Sequence, residues 1–389
     1  MPAGSDAMNM HAVMNGDIKA VCARAASECE ATETTRQLSP ELARALAAAG
    51  FFNMFIPSAL GGQELSPPEA MARIQYLARH DAASAWVSMI GATTALGAAY
   101  IDDAIGRDIF AAAERITCGI FAPNGRAVCD GDDYIVSGRW AWASGSANAD
   151  YIGLGCMTLE HEDDAPSGKK VRLLMVPRDK IIFHDTWHTM GLCGTSSGDV
   201  ELDKVRVPVA HSYSLATDTP WAEGALYDMP YFALLATGVA AVALGNGRAA
   251  LDEVTDLVTA KTAQGHSRAL AERSGVQAAL AQAEAEWRGA DALYEKTLAA
   301  CWQAAQDKNV TPEIKADLRL ASTHAVRTCA EVVRHVHDIA GGTSVYKQSA
   351  IQRRLRDAQT MTQHMITNAT TYEMTGRVLL GGYHPGMQL

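Results

Sequence analysis

The chain has 389 residues, 48% apolar and 20% charged, a length and balance that suit two or three folded units and exclude a disordered or low-complexity protein. Its formal net charge of -11 disfavours a nucleic-acid partner, because phosphate-backbone binding needs clustered Lys and Arg. None of the 8 cysteines forms a C-x-x-C pair and no histidine cluster has zinc-ligand spacing, so we expect no metal site and reduced thiols in the cytoplasm.

No basic start followed by an apolar core marks a signal peptide. Residues 1–15 have no clear period. Residues 17–49 are helical in pattern: Ser39-Pro40-Glu41 supplies an N-cap, a first-turn proline and a first-turn acid, and Gly50 stops the helix. The apolar segment 51–57 breaks at Gly61-Gly62, and Ser66-Pro67-Pro68-Glu69 opens the next helix by the same signals. Residues 81–100 form an Ala-rich helix with Trp86 and Met89 on one side, and 102–115 a short helix. Residues 1–115 therefore read as an N-terminal helical domain.

From Ile116 the content of Val, Ile and Thr rises, and strands are predicted at 151–156, 171–176, 180–184 and 200–207. Residues 160–170 read as a charged hairpin tip. The stretch from Cys118 to Gly145 reads as two strands joined at Asp130-Gly131. It puts Trp140 and Trp142 on one face at period two, followed by Ser144 and Gly145. That is either a core strand with two large residues or the wall of a site for a flat aromatic ligand. In the second case the serine supplies a donor and the glycine a close backbone approach. Gly194-Thr195-Ser196-Ser197-Gly198 is either a plain β-turn or a cradle for a ligand's polar edge. This middle β-domain spans 116–215.

The remainder, 220–389, is predicted helical at 231–262, 272–306, 312–339 and 352–380, with apolar stripes at three- and four-residue spacing. The longest apolar run, 231–244, is too short to cross a bilayer, so we expect a buried helix and no membrane partner. The fold class is α+β.

Three stretches in this order, 132–155, 187–208 and 338–364, resemble the acyl-CoA dehydrogenase family. The resemblance implies an N-terminal helical domain, a middle β-barrel or sandwich and a C-terminal four-helix bundle, assembled as a homotetramer. The family has two branches. One oxidises acyl-CoA thioesters with bound FAD and a glutamate base. The other consists of monooxygenases that take reduced flavin, FMNH2 or FADH2, from a separate NAD(P)H:flavin reductase and activate molecular oxygen through a flavin C4a-hydroperoxide. In the first branch the base follows Arg356-Asp357-Ala358 by seven residues or precedes Gly238 by eight. Here those positions hold Met365 and Pro230, and Glu373 lies about two helical turns too late.

The resemblance to the second branch makes His364 and Ser144 the catalytic candidates, with an imidazole facing the flavin and a hydroxyl at its N5 edge. It makes Trp140, Trp142, Ser144, Thr195, Ser196, Ser197, Gly341 and Gly342 cofactor-binding candidates, and Trp86 and Asn124 candidates for the substrate side. Asp338 stands where dehydrogenases have a glutamine beside the FAD diphosphate, a repulsive neighbour that leans toward FMN or a loosely held flavin. No nicotinamide-binding glycine fingerprint follows a strand. The expected function is the oxygenase component of a two-component system hydroxylating a small aromatic or heterocyclic substrate. The alternative is an FAD-dependent acyl-CoA dehydrogenase.

Overall fold

A computed structural model describes residues 14–112, 114–164, 171–262 and 269–382. Five helices come first: α1 (Gly16–Thr35), α2 (Pro40–Ala48), α3 (Pro67–His80), α4 (Ala82–Ala95) and α5 (Asp103–Phe110). Their starts follow the expected chemistry. The side chains of Ser39, Ser66 and Asp81 accept from the backbone N–H groups of Leu42, Glu69 and Ser84, satisfying first-turn donors that no helix can satisfy itself. Seven strands follow: β1 (Thr117–Asp130), β2 (Asp133–Trp140), β3 (Tyr151–Leu159), β4 (Val171–Pro177), β5 (Ile182–His184), β6 (Asp199–Pro208) and β7 (Ser212–Tyr213). They form one sheet in the order β5-β6-β2-β1-β3-β4-β7, with β5 and β7 at its edges, rather than a closed barrel or two stacked sheets. The β1–β2 hairpin turns at Gly131, whose φ of +64° glycine adopts without strain. β1 also pairs in parallel with β3, with an irregularity between Ile120 and Gly125. Of the charged hairpin tip, 165–170 lie outside the described residues, as do 1–13.

Three long helices complete the scaffold: α6 (Tyr231–Ala260), α7 (Ser274–Gln306) and α8 (Pro312–Ala340). α8 packs on α6 and α7, and α6 on α3 and α4. Ala82–Ala99 and Tyr231–Ala260 are long and apolar enough to cross a membrane, but 94% of each apolar window is covered by the protein's own packing.

The single helix expected at 352–380 is two helices, α9 (Ala350–Met361) and α10 (Thr371–Leu379), separated by a 3-10 turn at Met365–Thr367. Local side chains compete for the backbone there. His364 Nδ1 accepts from the Ile366 N–H and Asn368 Oδ1 from the Thr370 N–H, bonds that a continuous helix would not allow.

Candidate active site

The site is assembled from four segments. α4, packed on β1 and α6, carries Trp86. The turn after β2 carries Ser144, the loop before β6 carries Thr195 and Ser197, and the break after α9 carries His364. Two backbone bonds lock the middle pair of segments together: Ala143 N–H to Gly198 O at 3.0 Å and Gly145 N–H to Thr195 O at 2.9 Å. Gly145 has φ +80°, which the turn requires and a side chain would strain.

Within this frame the buried indole of Trp86 donates from Nε1 to Ser144 Oγ at 3.2 Å. Ser144 and Ser197 hydroxyls meet at 2.7 Å, and Ser197 and Thr195 at 2.6 Å. Thr195 Oγ1 donates to Leu192 O at 2.9 Å. On its other side Trp86 meets the His364 ring edge to face, with centroids 5.4 Å apart and planes at 71°. The structure thus brings five of the predicted residues into one contiguous cluster.

His364 is half-buried and Nδ1 accepts from Ile366 N–H at 3.4 Å, so the neutral ring carries its proton on Nε2. Burial first, and the Arg319 guanidinium second, push the imidazole down to about 4, so it is neutral near pH 7. Arg319, on α8 and 3% exposed, donates to Phe232 O at 3.1 Å and Ile366 O at 2.8 Å. Burial lowers its own pKa to about 10, which leaves it cationic at pH 7. It pins the turn that orients His364.

The loop bearing Thr195 and Ser197 is tied to α9 by Asp357, whose carboxylate accepts from Leu192 N–H at 2.6 Å. Burial raises that carboxyl to about 6, against the pull of the Leu192 N–H. Gly191 has no room for a side chain, since an added Cβ would lie 2.2 Å from Arg356 O. Neither Arg319 nor the tether from Asp357 to Leu192 is visible in the sequence, because each acts on a segment far away in the chain.

Other predicted site residues lie elsewhere. Trp140 and Trp142 do not share a face. β2 ends at Trp140, which is 0% exposed, donates from Nε1 to Gly155 O at 2.7 Å and packs over Gly125, where a Cβ would meet the indole at 2.2 Å. It is a fully buried core residue. Trp142 has left the strand, with φ +64°, and is 72% exposed. Asn124 is exposed in the irregular part of β1. Ser196, at φ +46°, joins none of the hydroxyl bonds of its neighbours.

Gly341 and Gly342 form the α8–α9 connection, apart from the cluster. Asp338 there pairs with Arg334 at 3.0 Å, and Lys261 Nζ donates to Thr343 Oγ1, so the turn is less repulsive to a phosphate than the sequence implied. Met365 is 72% exposed, Pro230 caps α6 and Glu373 is exposed on α10. Among the described residues no carboxylate hydrogen-bonds to Trp86, Ser144, Thr195, Ser197 or His364. The donor set fits the polar edge of a flavin: an indole face, a hydroxyl oxygen and an imidazole N–H, in a mostly buried setting.

Comparison with known proteins identifies the family. The acyl-CoA dehydrogenase N-terminal domain family matches residues 14–105 and the acyl-CoA dehydrogenase C-terminal domain family residues 237–369. Indole-3-acetate monooxygenase of Pseudomonas putida is 30% identical over 349 residues, 89% of this chain and 88% of that protein. The oxygenase component of FADH2-dependent resorcinol hydroxylase of Rhizobium sp. (strain MTP-10005) is 26% identical, over 95% of each chain. The structure of XiaF from Streptomyces sp. in complex with FADH2 and glycerol superposes with a TM-score of 0.87 over 95% of this chain and 96% of that one. Its identity of 22% speaks to the fold.

Proposed function

Because the chain belongs to the acyl-CoA dehydrogenase family, within its flavin-dependent monooxygenase branch, we propose that it is the oxygenase component of a two-component system that hydroxylates a small aromatic or heterocyclic substrate. One observation carries the reading most of the way: a neutral imidazole stands against Trp86, and among the described residues its Nε2–H has no partner and no carboxylate bonds to the cluster. Thioester oxidation needs a carboxylate base, and the two positions where the dehydrogenase branch carries it hold Met365 and Pro230. The similarity to enzymes named as oxygenase components supports a separate NAD(P)H:flavin reductase as partner.

When bound, reduced flavin supplies two electrons to oxygen, one atom of which enters the substrate while the other leaves as water. The chain's own residues hold and shield. Ser144 would offer its oxygen to the flavin's N5 edge. His364 would offer Nε2–H on the oxygen side, and its depressed pKa would keep the ring from charging there. Trp86, bonded to Ser144 and packed on His364, would shield that edge from bulk water. The connection at Gly341 and Gly342, with Lys261 beside it, is available to a flavin phosphate.

None of the eight cysteines is in a disulfide, which supports a reducing, cytoplasmic setting. A C-terminal four-helix bundle made of α6, α7, α8 and the α9–α10 pair is the natural contact surface of a homotetramer. Exposed Val345, Tyr346, Leu379 and Leu380 support burial of this end against further copies. Light scattering should then give about four times the chain mass of 41.4 kDa.

The functional test supplies NADH, FMN or FAD, a flavin reductase and 18O2 with a panel of indoles and phenols. Incorporation of one labelled oxygen into product is expected. Flavin bleaching by an acyl-CoA, without any oxygen incorporation, would overturn the reading.

A further inference from the structure

Arg319 carries a charge that holding the turn does not require. It is 3% exposed, and its guanidinium donates to Phe232 O and Ile366 O. Two carbonyls call for two N–H donors, which a neutral amide would supply without the cost of burying a cation. Among the described residues no carboxylate pairs with Arg319, and its Nε–H has no partner. Buried charges in folded proteins are met by an opposite charge. Two buried hydroxyls beside it are unpartnered as well. Thr323 lies one turn further along the same face of α8, and Thr367 follows the carbonyl that Arg319 holds. Both are 0% exposed, and neither Oγ1 has a partner among the described residues.

The neighbouring surface is aromatic. Phe232, whose carbonyl Arg319 holds, meets Tyr231 edge to face with centroids 5.8 Å apart, and Tyr231 meets Phe121 of β1 at 5.0 Å. All three rings are half-buried rather than sealed in the core. Tyr231 Oη donates to Thr93 O at 3.4 Å, two turns beyond Trp86 on α4. Through Thr93 the rings share α4 with Trp86, and through Ile366 the cation shares the turn with His364.

We propose that Arg319 binds a carboxylate carried by the substrate, and that the site selects aromatic or heterocyclic acids over neutral compounds of the same shape. The proposal rests on the functional reading above and names its substrate class. The half-buried rings take the flat part of the substrate, and Thr323 and Thr367 add donors to the guanidinium.

The test compares indoles and phenols bearing a carboxymethyl or carboxyethyl side chain with their primary amides, which match them in shape and lack the charge. With the full chain, kcat/KM is read as 18O incorporation in the reductase-coupled assay and Kd by calorimetry. Wild type should favour acid over amide by about tenfold or more in both, the worth of a hydrogen bond to a charged group. Arg319→Met should bring that ratio close to one through a higher KM and Kd for the acids. Arg319→Lys keeps the charge and should keep most of the preference. Thr323→Val leaves the turn untouched and should lower the ratio by about threefold. A residue that only held the turn would, as Arg319→Met, lose kcat for acid and amide alike. A wild-type ratio near one, or a ratio unchanged in Arg319→Met, overturns the proposal and leaves the monooxygenase reading standing. Where Arg319→Met does not fold, an unchanged ratio in Thr323→Val overturns it instead. Sodium acetate that stimulates turnover of the amides in wild type but not in Arg319→Met would assign the cation to a free anion and overturn the substrate class. Flavin bleaching by an acyl-CoA, with no oxygen incorporated into either series, overturns both.

Discussion

The two walls of the site differ in how their polar groups are used. On the sheet side, Ser144, Ser197 and Thr195 spend every proton on one another and on Leu192. On the helix side, His364 commits only Nδ1, and among the described residues Nε2–H has no partner. One wall is saturated with fixed polarity, and the other keeps a donor in reserve. The contrast is one of commitment: the sheet-side hydroxyls close on one another and on Leu192, and the helix side leaves an imidazole donor uncommitted among the described residues.

The largest effect should come from undermining the sheet wall. Trp140→Ala removes a fully buried indole from the end of β2 and leaves a cavity beside Gly125. It should cost about 3–5 kcal/mol in chemical unfolding. A loss below about 1 kcal/mol would show that the strand end is not held by this residue.

Emptying the helix wall comes next. His364→Ala should lower product formed per NADH on the order of 10²-fold while oxygen uptake continues as hydrogen peroxide release. Unchanged coupling removes the imidazole from the chemistry.

The pH dependence of stability sharpens the contrast further, because His364 and Asp357 pull in opposite directions. His364 titrates at about 4 in the folded chain against an ordinary value of 6.5. Protonation therefore favours the unfolded chain, and its contribution is full above pH 6.5 and erodes as pH falls toward 4. Asp357 titrates at about 6 against 3.8, so the folded state holds its proton longer. Its contribution is full below pH 3.8 and is lost as pH rises through 6. His364→Gln should flatten the first slope and Asp357→Asn the second, read from melts between pH 4 and 7. Identical slopes in wild type and variants would mean that neither group is desolvated as described.

The smallest effect should be that of Trp142→Ala. The side chain is 72% exposed, so folding free energy should change by no more than about 0.5 kcal/mol.

Trp140 and Trp142 also mark how far the sequence can be read. The β-rich composition, the Asp130-Gly131 turn and the caps at Ser39 and Ser66 are local signals, and the elements they predict are present. Period two requires a strand that continues through both tryptophans. The strand stops at Trp140 because the next residues turn back to bond the loop at 195–198, a contact about 50 residues away. Likewise the helical pattern over 352–380 gave no sign of the break that frees His364 to cap a turn. That break is held from outside by Arg319 on α8.

What the sequence determined alone was residue chemistry and order: helices, then strands, then long helices; Ser144, Thr195, Ser197 and His364 in motifs that resemble a flavin-using branch; and Met365 and Pro230 where a base would stand. Tertiary structure decided which of these meet, which indole faces the others, and which way each hydroxyl proton points. Local propensity is carried by neighbours three or four residues apart. Hydrogen-bond direction depends instead on the last acceptor in a network, here the carbonyl of Leu192, a residue whose N–H donates to a carboxylate on α9.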